Sequence, residues 1–147
     1  LQKVLELSRP EDVIYEAIGH CYDKLHNYAQ ARINYRKASH LNQDNSQLFF
    51  KIAVTYMNEG IWESAIKNLE TAMRTYRNQP EYNLAMGQCH MEMGNIESAV
   101  QYFGNVVRTK PKNIYGWLEL LKCLYNTNCY EEGAEYASHA SRWLKKG

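Results

Sequence analysis

Residues 80–113 read PEYNLAMGQCHMEMGNIESAVQYFGNVVRTKPKN, and two apolar patterns of helical period lie in them on either side of a short turn at Gly94 and Asn95. Pro80 suits the first turn of a helix, where its missing N–H costs nothing. After the turn Ile96, Ala99, Phe103 and Val106 return at spacings of three and four, which places them on one helical face. The stretch predicts two helices joined as a hairpin.

Working outward, the same pattern returns every 34 residues. Ala31, Ala65 and Ala99 are followed by Gly133. Ala38, Ala72, Val106 and Ala140 form a second series, and Gly19, Ala53, Gly87 and Leu121 a third. Large residues keep the same step in Tyr28, Trp62, Ile96 and Tyr130, and in Tyr35, Leu69, Phe103 and Ala137. Turn punctuation accompanies them at Asn27, at 58–60 and at 126–128, and Asn45 and Asn113 are N-cap candidates. Eight helices are predicted, at 11–24, 28–40, 46–58, 62–76, 80–92, 96–108, 114–126 and 130–144. The small residues have a packing reason. Where the two helices of a hairpin cross, Gly or Ala lets the backbones approach while large neighbours fill the flanks. One such hairpin cannot bury its apolar faces alone, so neighbours must stack.

This pattern resembles the tetratricopeptide repeat. The third unit carries it in Met86, Gly87, Gly94, Ile96, Ala99, Phe103 and Pro111, and the first in Tyr15, Ile18, Gly19, Tyr22, Ala31, Tyr35 and Ala38. The fourth supplies Trp117, Leu120, Tyr130 and Ala140 but departs at Leu121, Gly133 and Ala137. The resemblance implies an all-α fold, a right-handed superhelical stack of antiparallel helix pairs. Its units would be 12–45, 46–79, 80–113 and 114–147. Leu1, Val4 and Leu7 fall in phase with Tyr35, Ala38 and Leu41, so 1–11 reads as the second helix of a truncated upstream unit. The chain is then expected to be a fragment of a longer array whose uncapped ends favour self-association.

Composition narrows the function. Seventeen Lys and Arg against sixteen Asp and Glu give a net charge of +1, and the basic residues are scattered. Nucleic acid, whose binding rests on neutralising phosphates, is not expected. No apolar run approaches the ~20 residues that cross a bilayer. Cys21, Cys89, Cys123 and Cys129 make no CxxC pair and no zinc spacing, which suits a reducing compartment such as the cytoplasm.

No catalytic constellation emerges either. His20 with Cys21, and Cys89 with His90, are helix neighbours about 100° apart and cannot face one another. Cys21, Cys89 and Cys123 share the register of Thr55, a place for small side chains between stacked helices, with successive members too far apart for disulfides. Cys129 lies in a turn as the most reactive thiol, and His90 occupies the packing register of Tyr22 and Tyr56. His26, His40 and His139 are isolated, and no phosphate loop is present. The segment reads as non-catalytic, with no cofactor and no metal.

The resemblance implies that the first helix of each hairpin lines a concave groove through its second, fifth, ninth and twelfth positions. These are Val13, Glu16, His20 and Asp23; Gln47, Phe50, Val54 and Met57; Glu81, Leu84, Gln88 and Met91; and Tyr115, Leu118, Lys122 and Tyr125. Chaperone-binding members of the family clamp a C-terminal carboxylate with Lys, Asn and Arg at such places. Here Lys122 alone qualifies, so no clamp is expected. Phe50, Val54, Met57, Leu84, Met91, Leu118 and Tyr125 instead suggest an apolar trough for an amphipathic helix or apolar segment of a protein partner. Glu16, Asp23 and Glu81 favour a basic flank on that ligand. The competing reading is that the stripe is core between neighbouring first helices. Two functions follow: a protein-interaction scaffold, or a structural segment that self-associates or supports a domain elsewhere in its protein.

Overall fold

The computed structural model describes residues 10–145, and these form helices with no strand among the described residues. In chain order they are α1 (Pro10–Lys24), α2 (Tyr28–Leu41), α3 (Ser46–Asn58), α4 (Trp62–Met73), α5 (Pro80–Glu92), α6 (Ile96–Thr109), α7 (Ile114–Asn126) and α8 (Tyr130–Leu144). The all-α hairpin pattern read from the sequence is therefore the fold. The upstream half-unit read at 1–11 falls for the most part outside the described residues.

Each hairpin turns by the same device. His26, Gly60, Gly94 and Asn128, one per 34 residues, take positive φ of 61°, 75°, 82° and 61°. The N–H of the following residue then reaches back five positions: Asn27 to Tyr22, Ile61 to Tyr56, Asn95 to His90 and Cys129 to Leu124, at 2.8–2.9 Å. A left-handed residue followed by this backward bond closes a helix by satisfying its last carbonyls. Asn27, Asn45 and Asn113 cap the next helices as acceptors for the amides of Gln30, Gln47 and Tyr115.

One boundary differs from expectation by more than a single residue. The predicted 62–76 helix stops at Met73, because Arg74 N–H is shared between the carbonyls of Glu70 and Thr71 and Thr75 N–H bonds Ala72. Tightening to a three-residue step ends an α-helix.

The helices divide into two compact units that part between Thr75 and Tyr76. In the first, Ala31, Tyr35, Ala38, Leu48 and Ile52 form the core, flanked by Tyr15, Tyr22 and Tyr56. Gly19 is needed there, since an added Cβ would lie 2.7 Å from the Tyr35 ring. Arg32 ties α2 to α3: its guanidinium lies 4.2 Å from the Tyr56 ring centroid and donates to Thr55 Oγ1 at 3.2 Å and to Glu59 Oε2 at 3.1 Å. That face-on cation is worth about 0.5–2 kcal/mol according to its desolvation.

In the second unit Ala99, Phe103, Val107, Trp117, Leu120, Cys123, Leu124 and Ala140 form the core. Gly116 lets α7 close on α6, because a Cβ there would meet Val106 Cγ1 at 2.6 Å. Asn83 holds the register of Trp117 and repeats its bond. Asn83 Nδ2 donates to the carbonyl of Arg77 at 3.0 Å, as Trp117 Nε1 donates to Pro111 at 2.7 Å. The register predicted for small side chains splits. Thr55, Cys89 and Cys123 are fully buried, but Cys21 is exposed. Thr55 lies under Arg32 of the preceding second helix, whereas the helix expected over Cys21 falls outside the described residues.

Candidate functional site

The residues predicted to line a partner groove stand on the first helices of the hairpins, and each compact unit presents its own set. In the first unit α1 leaves Val13 and His20 exposed, while Glu16 and Asp23 are half-buried. Both acids are engaged within the chain. Lys51 Nζ donates to Glu16 Oε1 at 2.5 Å, bracing α3 against α1, and Tyr35 Oη lies 3.5 Å from Asp23 Oδ2. Burial and the Asp23 carboxylate push the Tyr35 phenol well above its ordinary range. The basic flank expected on a ligand therefore has Glu81 as its remaining free acid. On α3, Gln47 is exposed and Phe50, Val54 and Met57 are half-buried.

In the second unit α5 turns Glu81 and Gln88 to solvent. Leu84 and Met91 are half-buried because they pack on the core of α6 and α7, which is the core reading of the stripe realised at two positions. The face of α7 is different. Tyr115 is 67% exposed, Leu118 45% and Tyr125 70%, all on one side at helical spacing. Lys122, beside them, donates to Glu119 one turn back at 3.4 Å, an exposed pair of small energetic weight. The Tyr125 ring meets Tyr130 edge-on, with centroids 5.8 Å apart.

The thiols and imidazoles build no reactive centre. Burial pushes the Cys89 thiol up to about 11, and burial likewise raises Cys123. His90 stacks on Tyr102 with centroids 5.4 Å apart, a packing histidine as its register predicted. No group of three His, Cys, Asp or Glu able to hold a metal ion occurs among the described residues. No described helix is long and apolar enough to cross a membrane. Sequence reasoning missed the Arg32–Tyr56 contact, whose signal was weak because an Arg on a polar helix face reads as solvated surface.

Tightly turned helix pairs at a 34-residue step, crossing at small residues, define a helical-hairpin repeat protein. The chain matches the tetratricopeptide repeat family model at residues 13–45 and 80–113. It is 25% identical over 96 residues to Superkiller complex protein 3 of Mus musculus, covering 65% of this chain and 6% of that protein's length. Its fold is similar to that of MamA, with a TM-score of 0.82 at 16% identity over 99% of this chain and 85% of the other. It is also similar to the first TPR of Spaghetti (RPAP3) bound to an HSP90 peptide, with a TM-score of 0.75 at 19% identity over 82% and 96% of the two chains.

Proposed function

We propose that the chain is a protein-interaction module, non-catalytic in itself, that receives an apolar or amphipathic segment of a partner on the first-helix faces of its hairpins. The observation that carries this reading is the face of α7, where Tyr115, Leu118 and Tyr125 stand exposed in line. Exposed rows of large apolar side chains at i, i+3 and i+10 spacing fit the anchors of a docked helix. The half-buried Phe50, Val54 and Met57 of α3 offer the first unit a similar strip, with an adaptable methionine. The Spaghetti relative is itself described bound to an HSP90 peptide, which supports peptide capture as the class of function. Lys122 is the lone cation of the set, so the ligand is an apolar segment rather than a C-terminal carboxylate, and nucleic acid is not among the partners.

The test is selection of peptides from a random display library by the wild-type chain and by a Leu118→Glu, Tyr125→Glu variant. Both positions are exposed, so the variant keeps its circular dichroism. Wild type is expected to enrich amphipathic apolar sequences that the variant loses. Retention of the same peptides by a folded variant sinks the reading.

A second reading is a structural segment that self-associates. It is favoured by α8, which buries only Ala140 and leaves Trp143 and Leu144 at 43% and 38% exposure. Light scattering across a concentration series separates the two: a mass fixed at the monomer excludes self-association.

A further inference from the structure

Each compact unit has a crevice where the loop leaving one hairpin meets the first turn of the next. The first unit's crevice is about 390 Å³ and the second's about 710 Å³. Three lining positions of one lie two repeat periods from three of the other. The linings differ. Gln43, Ser46 and Thr75 in the first unit are replaced by Pro111, Ile114 and Trp143 in the second. Tyr115 adds to the apolar wall, and Lys110 and Lys112 stand at its edge. At these three positions the apolar lining belongs to the second unit's crevice and not to the first's.

Charge marks the same place. Lys110 and Lys112 are in none of the ion pairs among the described residues, as is also true of Arg74 in the first unit's crevice. The first turn of α7 carries no acid, so the positive end of that helix adds to the field. Glu81, which follows Pro80, is the one acid adjacent in sequence to the lining. A volume of this size accepts one or two large side chains, and an aromatic-lined recess with a cationic rim selects partners by both shape and charge.

We propose that this crevice docks an acidic peptide segment. One bulky aromatic or leucine side chain inserts against Trp143, Ile114 and Pro111, and flanking carboxylates meet Lys110 and Lys112. The site is separate from the first-helix face: Tyr115 belongs to both, but Leu118 and Tyr125 do not line the crevice.

The experiment is fluorescence anisotropy on the whole chain with three fluorescein-labelled heptapeptides. One has a central Phe flanked by Asp and Glu, one the same Phe flanked by Lys and Arg, and one the acidic flanks around Ser. The acidic Phe peptide is expected to bind, and the other two to bind at least about tenfold more weakly. Trp143→Ala, and separately Lys110→Glu with Lys112→Glu, should each cost the acidic Phe peptide about tenfold, and the charge reversal should transfer preference to the basic peptide. Leu118→Glu should leave these affinities unchanged, so failure of the groove reading and failure of this one are told apart. Equal binding of acidic and basic peptides, no binding of any, or indifference to Trp143→Ala overturns the proposal. A dimer that Trp143→Ala dissolves, with no peptide binding, assigns the crevice to a second copy and overturns it as well.

Discussion

A Cβ added to Gly87 would lie 2.3 Å from Cε1 of Phe103, inside the ring's van der Waals surface. Phe103 is fully buried and cannot swing away. The same two registers hold Gly19 with Tyr35, Ala53 with Leu69, and Leu121 with Ala137. Volume is exchanged across the helix crossing: a small residue on one helix admits a large one on the other, and the fourth hairpin reverses the assignment. Gly87→Ala should therefore lose about 1–3 kcal/mol by overpacking, despite its better helix propensity. Adding Phe103→Leu reproduces the Ala53–Leu69 pair and should recover part of that loss. Urea unfolding of the two single variants and the double gives the coupling. Strict additivity would mean that the two positions do not share one space.

Gly133 makes the opposite prediction. It stands in the register of Ala31, Ala65 and Ala99, yet a Cβ there would meet Leu124 Cβ at 3.8 Å, an ordinary contact. Gly104, inside α6, has nothing within 4 Å of the position its Cβ would take. Both glycines cost helix stability without admitting a neighbour. Gly133→Ala and Gly104→Ala should each stabilise the fold by roughly 0.5–1 kcal/mol, seen as a raised denaturant midpoint at unchanged m-value.

The hairpin frame was legible because each of its devices is periodic. Pro80, Asn45, Asn113, Gly60 and Gly94 hold the roles that their types predict. The first turn was less legible, since His26 fills the place of a turn glycine and the turn-type residue beside it is Asn27. Counting back 34 from Gly60 would have found it. The end of α4 was missed because no Gly or Pro marks it before Pro80. At the site, sequence placed the groove residues on first helices but could not say which were covered. Leu84 and Leu118 share a register, yet Leu84 packs on the core and Leu118 is exposed. The Trp143 crevice joins residues from three places in the chain, and no local pattern announces such a meeting.

His26 carries the cost of that substitution. A non-glycine residue at φ 61° crowds its Cβ against the backbone. Asn128 meets the same demand with a residue type that tolerates it better. His26→Gly should stabilise the chain by up to about 1 kcal/mol. The gain is offset in part by loss of the 3.0 Å contact between His26 Nδ1 and Tyr28 Oη. Asn128→Gly should gain less. Thermal unfolding of both variants beside wild type ranks them, and a larger gain at Asn128 would count against backbone strain as the cause.

The thiols separate by burial, and this yields a readout in two dimensions. Cys21 and Cys129 are exposed while Cys89 and Cys123 are buried. Brief iodoacetamide treatment of the native chain, read by peptide mass spectrometry, should alkylate Cys21 and Cys129, with Cys89 and Cys123 modified only after unfolding. Stability should carry the matching pH signature. Burial holds the Cys89 thiol protonated up to about 11 in the fold, whereas in the unfolded chain it ionises near the ordinary thiol value of about 8.5. The folded state then binds more protons than the unfolded state across that interval, so stability falls as pH rises through it. The stabilising contribution is fully present below about 8.5 and is lost as pH approaches 11. Cys123, raised in the same direction by its own burial, adds to the slope. Cys89→Ala should lower stability at neutral pH by leaving a small cavity, yet flatten the alkaline decline by up to one proton. Denaturant titrations at intervals from pH 7 to 10.5 measure both effects. A decline of equal steepness in wild type and variant would show that the buried thiol does not set it.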